Sequence, residues 1–332
     1  MEHNDHPLIS VQDLKVYFQG DFETARAVDG VSFEVRPKEM VCLVGESGCG
    51  KTVTALSILG LISIPPGRIA GGKILFKDNN LLDLSESDFQ KIRGNHIAMV
   101  FQEPLTSLNP VFTIEDQIGE AIQIHKHIEG EPLQERCIQL LKDVGISSAA
   151  ERLNDYPHQL SGGQRQRVMI AMALACDPDL IIADEPTTAL DVTVQSQILQ
   201  LFKSLQKKRA LSVLYITHDL GVVANIAHRV YVMYAGIIVE QGKAVHIFSG
   251  AQHPYTRGLL ASLPTRAKRG KRLYSIPGAV PDPAHKPLGC PFHPRCPDAI
   301  ESCRTQFPEL CNYGHGHLAR CPVLFGRKHE TG

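Results

Sequence analysis

Short apolar runs alternate with segments of helical periodicity over most of the first 217 residues. The apolar runs predict strands at residues 9–18, 27–35, 40–44, 72–76, 96–101, 180–183 and 212–217. Helices are predicted at residues 53–61, through most of 113–160, and at 164–176 and 194–206. Ile114, Ile118 and Ile122 fall at i, i+4 and i+8, which places them on one helix face. Strands that alternate with helices predict an α/β domain with a mainly parallel sheet and a helical insert.

The pattern changes after about residue 250, where prolines become frequent and apolar periodicity is weak. The chain has 34 Lys and Arg against 35 Asp and Glu, and its net charge is −1. That balance disfavours a general nucleic-acid binder, because neutralising phosphates needs a positive excess. We see no N-terminal signal peptide, and the longest apolar run, residues 168–176, is too short to span a bilayer. We therefore expect a cytosolic protein whose role at any membrane is peripheral.

Residues 45–52 match the pattern G-x-x-x-x-G-K-[ST] between a predicted strand and a predicted helix. The loop reads Gly45, Glu46, Ser47, Gly48, Cys49, Gly50, Lys51 and Thr52. Glycines let successive N–H groups point at phosphate oxygens, and the following helix adds its positive N-terminal end. Lys51 would reach the β- and γ-phosphates, and Thr52 would hold Mg²⁺ through its hydroxyl. The motif predicts a nucleotide phosphate site, with a plain glycine-rich turn as the alternative.

The predicted strand at residues 180–183 ends in two acids, Asp184 and Glu185. A buried strand that delivers an acid at its tip suits a magnesium site, and Asp184 would bind there. Glu185 would then orient or deprotonate the attacking water. An apolar run that ends in two acids is weak evidence alone, since many such strands meet a solvated loop. Together with the phosphate loop, the pair predicts nucleotide hydrolysis.

Ser161, Gly162, Gly163 and Gln164 form a second anion-binding helix start in the same chain. One nucleotide does not need two such helix starts from one domain, whereas two copies facing head to tail do. With these motifs in this order, the sequence resembles the ATP-binding cassette of ABC transporters over roughly residues 8–250. The resemblance implies a P-loop NTPase cassette that binds ATP and Mg²⁺. Its fold would have a mainly parallel core sheet, an antiparallel β subdomain and a helical subdomain at about residues 103–175.

The resemblance also implies roles for single residues. Gln102 is similar to the Q-loop glutamine, which contacts Mg²⁺ and couples to the membrane subunit. Asp191 is similar to the D-loop aspartate at the dimer seam, and His218 to the switch histidine that touches the γ-phosphate. In this family an aromatic residue ahead of the phosphate loop usually stacks on adenine. Phe18 and Tyr17 both qualify, and we favour Phe18 because it precedes a turn.

Three runs, at residues 156–163, 187–193 and 253–260, narrow the resemblance to the oligopeptide, dipeptide and nickel importer ATPases. The last run marks that group's C-terminal extension, which would occupy residues 251–332. The chain most resembles the D-type ATPase subunit of a dipeptide or oligopeptide importer, at the cytoplasmic face of the inner membrane. Its implied partners are a second homologous ATPase subunit, two integral membrane permease subunits and, indirectly, an extracytoplasmic substrate-binding protein, without nucleic acid. The alternatives are a nickel or other small-solute importer and a soluble ABC ATPase acting on ribosomes or DNA.

Five of the nine cysteines fall within residues 290–321. Four thiolates suit either tetrahedral zinc or a [4Fe–4S] cluster, and the absence of tight C-x2–4-C pairs favours the cluster. Some importer ATPases of the group carry such a cluster in the extension. The ligands implied by position are Cys290, Cys296, Cys303 and Cys321, which leaves Cys311 spare. One alternative is a mixed zinc site, with ligands available from His293, His315 and His317, and the other is free thiols without a metal.

Overall fold

The computed structural model describes residues 6–103, 107–188, 190–264 and 274–323, and the chain divides into two compact units. The first unit comprises Met1–Val35, Met40–Leu82 and Ile216–Gly332, and the second comprises Arg36–Glu39 and Asp83–Tyr215. The phosphate loop and the cysteine-rich segment therefore belong to the first unit. The acidic strand end and the helix start at Ser161 belong to the second.

Regular elements cover most of the described residues. The strands there are β1 (Ile9–Gln19), β2 (Thr24–Val35), β3 (Met40–Val44), β4 (Gly67–Phe76), β5 (Asn79–Asn80), β6 (Ile97–Val100), β7 (Leu180–Asp184), β8 (Ser212–Thr217), β9 (Arg229–Tyr234), β10 (Ile237–Lys243), β11 (Cys311–Asn312) and β12 (Leu318–Ala319). The α-helices there are α1 (Lys51–Ile58), α2 (Glu86–Ile92), α3 (Ile114–Lys126), α4 (Gly130–Asp143), α5 (Ala149–Arg152), α6 (Gly162–Ala173), α7 (Val192–Arg209), α8 (Leu220–Ile226), α9 (Ala244–Gly250), α10 (Pro254–Ala261) and α11 (Ser302–Thr305). Within this described part, no helix has both the length and the apolar composition of a membrane span.

The first unit contains a four-stranded antiparallel sheet in the order β2-β1-β4-β5. Along β1 the buried apolar residues are Ile9, Val11, Leu14 and Val16. A register shift between Val11 and Leu14 marks a bulge, which is why the buried positions change from odd to even numbers. This sheet matches the antiparallel β subdomain that the resemblance implies.

A second group of strands in the first unit runs in the order β3-β9-β10-β12-β11. All of β3 is buried and it pairs in parallel with β9, as expected of an interior parallel strand. The hairpin of β9 and β10 turns through Ala235 and Gly236, whose φ angles of 46° and 84° suit a two-residue turn. β12 pairs with β10 at Glu240 and Gln241, so the C-terminal segment is tied to this sheet.

In the second unit, β6 pairs in parallel with β7. The neighbour of β7 on its other side is β8, of which Ser212–Tyr215 belong to this unit. Helices α3, α4 and α6 contact one another. Ile114, Ile118 and Ile122 are buried on α3, which confirms the predicted helix face. Parallel strands combined with these helices confirm the α/β fold class. The boundaries at residues 103–175 and 250/251 remain predictions.

Candidate nucleotide-binding site

The phosphate loop joins β3 to α1 in the first unit, and its backbone requires glycine. Gly48 and Gly50 have φ angles of 79° and 101°, in the left-handed region that side chains disfavour. A Cβ on Gly50 would collide with the carbonyl oxygen of Ala27, and a Cβ on Gly45 with that of Met233. The loop is therefore packed tightly against neighbouring backbone at both of these positions.

Lys51 opens α1, and its side chain turns back onto the loop. Its Nζ donates to the carbonyl oxygens of Gly45 and Glu46 at 2.9 and 3.0 Å, and the residue is 5% exposed. The ammonium thus lies beside the start of a helix, where free N–H groups and the helix dipole also favour an anion. The loop residues open to solvent are Ser47, Gly48 and Thr52.

The two candidate adenine-stacking residues are neighbours near the end of β1. Tyr17 Oη donates to Asp29 Oδ1 at 2.8 Å. The guanidinium carbons of Arg26 and Arg68 each lie 5.8 Å from the Tyr17 ring centroid. Phe18 is half-buried and faces the other side of the strand, because successive strand residues alternate. The preference for Phe18 remains a prediction.

In the second unit, the structure brings Gln102 to Glu185. Asp184 ends β7 and is 2% exposed, and Glu185 follows with a φ of 45°. That left-handed backbone turns the Glu185 side chain out of the line of the strand. Glu185 Oε2 accepts from Gln102 Nε2 at 3.4 Å and from Thr188 Oγ1 at 3.0 Å. Thr188 is an addition to the predicted site, and its position three residues after Glu185 is the signal that could have identified it.

Ser161 starts α6 with a reciprocal capping box. Ser161 Oγ accepts from the Gln164 N–H at 3.3 Å, and Gln164 Oε1 accepts from the Ser161 N–H at 2.9 Å. Asp191 caps α7 in turn, because its Oδ1 accepts from two N–H groups of the first turn at 3.0 and 2.9 Å. A Cβ on Gly163 would come within 2.9 Å of Val194 Cγ1. The structure therefore brings the two predicted dimer-facing motifs next to each other.

His218 belongs to the first unit and directly follows Thr217, the last residue of β8. It is exposed. Asp219 caps α8 by accepting from two N–H groups of that helix at 2.7 and 3.3 Å, which fixes the chain direction just after His218. The catalytic role of His218 remains a prediction. Ala189, which belongs to the predicted D-loop, lies outside the described residues.

The cysteine-rich segment encloses a cavity of about 370 Å³ in the first unit. Its lining includes Phe292, Phe307 and all five cysteines of the segment. Burial raises the pKa of the Cys290 and Cys296 thiols to about 11, so both are neutral near pH 7.

The prediction of a [4Fe–4S] cluster is wrong. Within residues 6–103, 107–188, 190–264 and 274–323, no group of three or more His, Cys, Asp or Glu side chains is placed to hold a metal ion. The cysteines share a cavity, but the spacing that suggested a cluster did not specify where their thiols point. The same finding removes the support for zinc, since His317 Nε2 lies 2.6 Å from Glu240 Oε1 and His293 Nδ1 lies 3.0 Å from the Cys290 carbonyl oxygen. The four residues concerned are Cys290, Cys296, Cys303 and Cys321.

Two residues of the C-terminal segment contact the phosphate loop, and no sequence motif predicted either of them in the site. The Glu46 N–H donates to Tyr255 Oη at 2.8 Å. The Glu46 carboxylate accepts from both Nη atoms of Arg295, at 2.7 and 3.0 Å. Tyr255 lies in the run that marked the extension, but nothing in that run points to the loop. Arg295 is 249 positions from Glu46, and no local pattern links residues so far apart.

Comparison with known proteins connects this geometry to a family. The ABC transporter family model matches residues 28–188, and the model for the oligopeptide/dipeptide transporter C-terminal region matches residues 239–303. The chain is 51% identical to the probable peptide ABC transporter ATP-binding protein y4tR of Sinorhizobium fredii, over 95% of this chain and 94% of that protein. It is 50% identical to the oligopeptide transport ATP-binding protein AppD of Bacillus subtilis, over 95% and 96%. It is 48% identical to the dipeptide transport ATP-binding protein DppD of Escherichia coli, over 95% and 96%.

Solved structures of ATP-binding cassettes resemble the fold of this chain. The dimeric, post-hydrolysis ATP-binding cassette MJ0796, bound to ADP and Pi, matches with a TM-score of 0.64 and 28% identity, over 71% of this chain and 98% of that chain. The cbiO1 subunit of the Clostridium perfringens ABC transporter complex cbiONQ also gives a TM-score of 0.64, at 25% identity over 74% and 92%. These likenesses confirm the predicted cassette fold. The chain therefore belongs to the ABC transporter family, as an ATP-hydrolysing subunit of its oligopeptide/dipeptide group.

Proposed function

We propose that this chain powers a membrane importer that takes up dipeptides or oligopeptides. The observation that carries the proposal is the likeness of about half of all residues, over 95% of the chain, to ATP-binding proteins named for peptide transport. That likeness includes the C-terminal region, and not only the cassette common to all ABC transporters. ATP is the energy source, and the peptide is carried by other subunits.

In this proposal the phosphate loop binds the ATP phosphates, with Lys51 as the cation that contacts them. The family resemblance assigns Thr52, Gln102 and Asp184 to Mg²⁺, and their side chains carry hydroxyl, amide and carboxylate oxygens, which are the kinds of ligand that Mg²⁺ takes in proteins. Bound Mg²⁺ would neutralise charge on the phosphate oxygens. Glu185 holds the attacking water through the carboxylate that Gln102 and Thr188 orient.

The second helix start, at Ser161, would contact the nucleotide that a partner subunit binds. Ser161, Gly162, Gly163 and Gln164, with Asp191 beside them, would close over ATP held by the partner's phosphate loop. The partner is a second, homologous ATPase subunit, and the similar cassette MJ0796 is itself dimeric. Closure with ATP bound and opening after hydrolysis would switch the transporter between two states, because ATP favours only the closed one.

Two integral membrane permease subunits would hold this chain peripherally at the cytoplasmic face of the inner membrane. Gln102 contacts Glu185 and precedes α3 and α4 in the chain, so we assign to it the coupling between hydrolysis and the permease subunits. An extracytoplasmic substrate-binding protein would deliver peptide to the permeases and would touch this chain only indirectly.

Uptake in a host that lacks the gene tests the proposal. The wild-type gene is expected to restore uptake of labelled dipeptide, whereas Glu185→Gln is expected not to restore it at equal protein level. Glu135→Gln, at an exposed position of α4, is the matched control and should act as wild type. Restored uptake of nickel with unchanged peptide uptake would assign another cargo. If the wild-type gene raises uptake of neither peptide nor nickel above that of the host lacking it, the importer role is wrong.

A further inference from the structure

Glu46, the second residue of the phosphate loop, is held by the C-terminal segment at two points. Its carboxylate receives both Nη groups of Arg295 at 2.7 and 3.0 Å, a two-point ion pair in which the Arg295 side chain is 5% exposed. Its backbone N–H donates to Tyr255 Oη at 2.8 Å. Tyr255 is fully buried. Arg295 and Tyr255 are therefore shielded from water. A charge-assisted pair such as that of Arg295 with Glu46 is strong and directional.

Arg295 is fixed by contacts other than Glu46. Its Nε donates to the Pro277 carbonyl oxygen at 2.8 Å, and its Nη1 lies 3.4 Å from Tyr234 Oη. Its guanidinium carbon lies 5.7 Å from the Tyr234 ring centroid and 5.9 Å from the Phe292 centroid. Because Pro277 and Phe292 of the C-terminal segment and Tyr234 of β9 hold the guanidinium, it can set the position of Glu46 rather than follow it.

The position of Glu46 in turn affects Lys51, because the two residues are hydrogen-bonded. The carbonyl oxygen of Glu46 accepts from Lys51 Nζ at 3.0 Å. One residue thus joins Arg295 through its side chain, Tyr255 through its N–H and Lys51 through its carbonyl. A rotation of the peptide units around Glu46 would move the ammonium that the ATP phosphates meet.

Charge gives a second reason for the contact. Glu46 places a carboxylate on the loop that is to receive a triphosphate, and like charges repel. Arg295 neutralises that carboxylate in a bidentate pair. Without Arg295, the loop would present an uncompensated negative charge to the nucleotide.

We propose that Arg295 is a positioning residue for ATP binding, which acts through Glu46 on the phosphate loop. The C-terminal segment is then part of the nucleotide site's machinery and not only an appendage. The inference rests on the proposed role of Lys51 at the ATP phosphates, and it is independent of the imported solute.

Equilibrium affinity of the full chain for a fluorescent ATP analogue tests the inference. Lys51→Ala is the reference variant, and it is expected to weaken binding about a hundredfold. Arg295→Gln is expected to weaken binding about tenfold, with the turnover number at saturating ATP in the assembled transporter changed less than about threefold. Loss of binding in Lys51→Ala with unchanged binding in Arg295→Gln would overturn the inference alone. Unchanged binding in Lys51→Ala would instead contradict the proposed phosphate site.

Charge neutralisation predicts a rescue that a purely structural role would not give. The double variant Glu46→Gln/Arg295→Gln removes both charges and is expected to recover affinity to within about threefold of wild type. Added salt should narrow the difference between Arg295→Gln and wild type, because ions screen the exposed carboxylate. If the double variant binds ATP no better than Arg295→Gln, the proposed neutralisation is wrong.

Arg320→Gln is the matched control for general damage to the segment. Arg320 donates to the carbonyl oxygens of Ile238 and Pro308 at 3.0 Å each, and these contacts lie outside the phosphate loop. It is expected to keep wild-type ATP affinity. If Arg295→Gln does not fold, Tyr255→Phe, which removes the acceptor for the Glu46 N–H, is expected to weaken ATP binding about threefold. An equal loss of affinity in Arg320→Gln and Arg295→Gln would reduce Arg295 to a structural role.

Discussion

The side-chain amide of Gln102 donates to Glu185 Oε2 over 3.4 Å, although the two residues are 83 positions apart. We expect Glu185→Gln to lower the ATPase turnover number about a hundredfold or more, because it removes the carboxylate that we propose takes the proton of the attacking water. ATP affinity should stay within about threefold of wild type, since the proposed contacts to the phosphates are made by the phosphate loop and not by Glu185. Steady-state ATPase assays and nucleotide binding measure the two quantities separately.

Gln102→Ala should have a smaller effect, about tenfold on turnover, because Thr188 Oγ1 still donates to the same carboxylate oxygen at 3.0 Å. The exposed Glu135 on α4 provides the control, and Glu135→Gln is expected to leave turnover unchanged. Wild-type turnover in Glu185→Gln would place the catalytic base elsewhere.

The phosphate loop allows a comparison between two glycines of similar backbone. Gly50 has a φ of 101° and a Cβ there would meet the carbonyl oxygen of Ala27, whereas Gly48 has a φ of 79° and nothing lies within 4 Å of its would-be Cβ. Gly50→Ala is expected to cost about 3 kcal/mol of unfolding free energy, from both clash and strain. Gly48→Ala carries the strain alone and should cost about 1 kcal/mol. Chemical denaturation of both variants tests the difference, and equal losses would mean that the close approach to Ala27 is relieved without cost.

Local patterns were enough to predict the elements that carry the site. The strand β3, the glycine loop and α1 are consecutive in the chain, so their order alone specifies a loop that opens a helix. The burial of Ile114, Ile118 and Ile122 also follows from spacing. Such features are predictable because the interacting residues are at most a few turns apart.

Contacts between distant residues were not predictable in the same way. Nothing near Glu46 in the sequence indicates that Arg295 neutralises it, because only the folded chain brings the two together. The cysteines show the reverse case. Their closeness in the sequence was enough to expect several thiols near one another, and they do line one cavity. The direction of each thiol depends on the path of the backbone, which the spacing does not specify. The predicted metal site was therefore wrong.

Glu240 is fully buried on β10 and accepts three hydrogen bonds or ion-pair contacts. Its oxygens lie 2.6 Å from the Gln252 nitrogen, 2.9 Å from the His253 nitrogen and 2.6 Å from His317 Nε2. Glu240→Gln replaces one acceptor oxygen by a donor that faces other donors, and it should cost about 3 kcal/mol of unfolding free energy. Denaturant unfolding measures this cost.

A surface carboxylate provides the comparison for Glu240. Glu301 lies 3.7 Å from Arg304, and its side chain is 86% exposed. Glu301→Gln should change the unfolding free energy by less than about 0.5 kcal/mol, because exposed ion pairs contribute little. If the two substitutions cost the same, the buried contacts of Glu240 do not tie the C-terminal segment to the sheet.

His253 predicts a loss of stability in mild acid. The residue is 1% exposed, and its Nδ1 accepts from the Tyr255 N–H at 3.1 Å, which requires a neutral imidazole. Burial lowers its pKa to about 4, although the Glu240 charge opposes the shift. In the unfolded chain the His253 imidazole has a pKa of about 6.5, so on acidification it binds a proton before the folded chain does. The contribution of His253 to the unfolding free energy is therefore complete above about pH 6.5 and is lost as the pH falls towards 4.

His253→Asn keeps an acceptor for the helix start without titrating, and its unfolding free energy should fall about 2 kcal/mol less than that of wild type between pH 7.5 and pH 5. Denaturant unfolding at the two pH values measures this difference, His6→Asn at an exposed position is the control, and equal losses in wild type and His253→Asn would contradict the buried neutral ring.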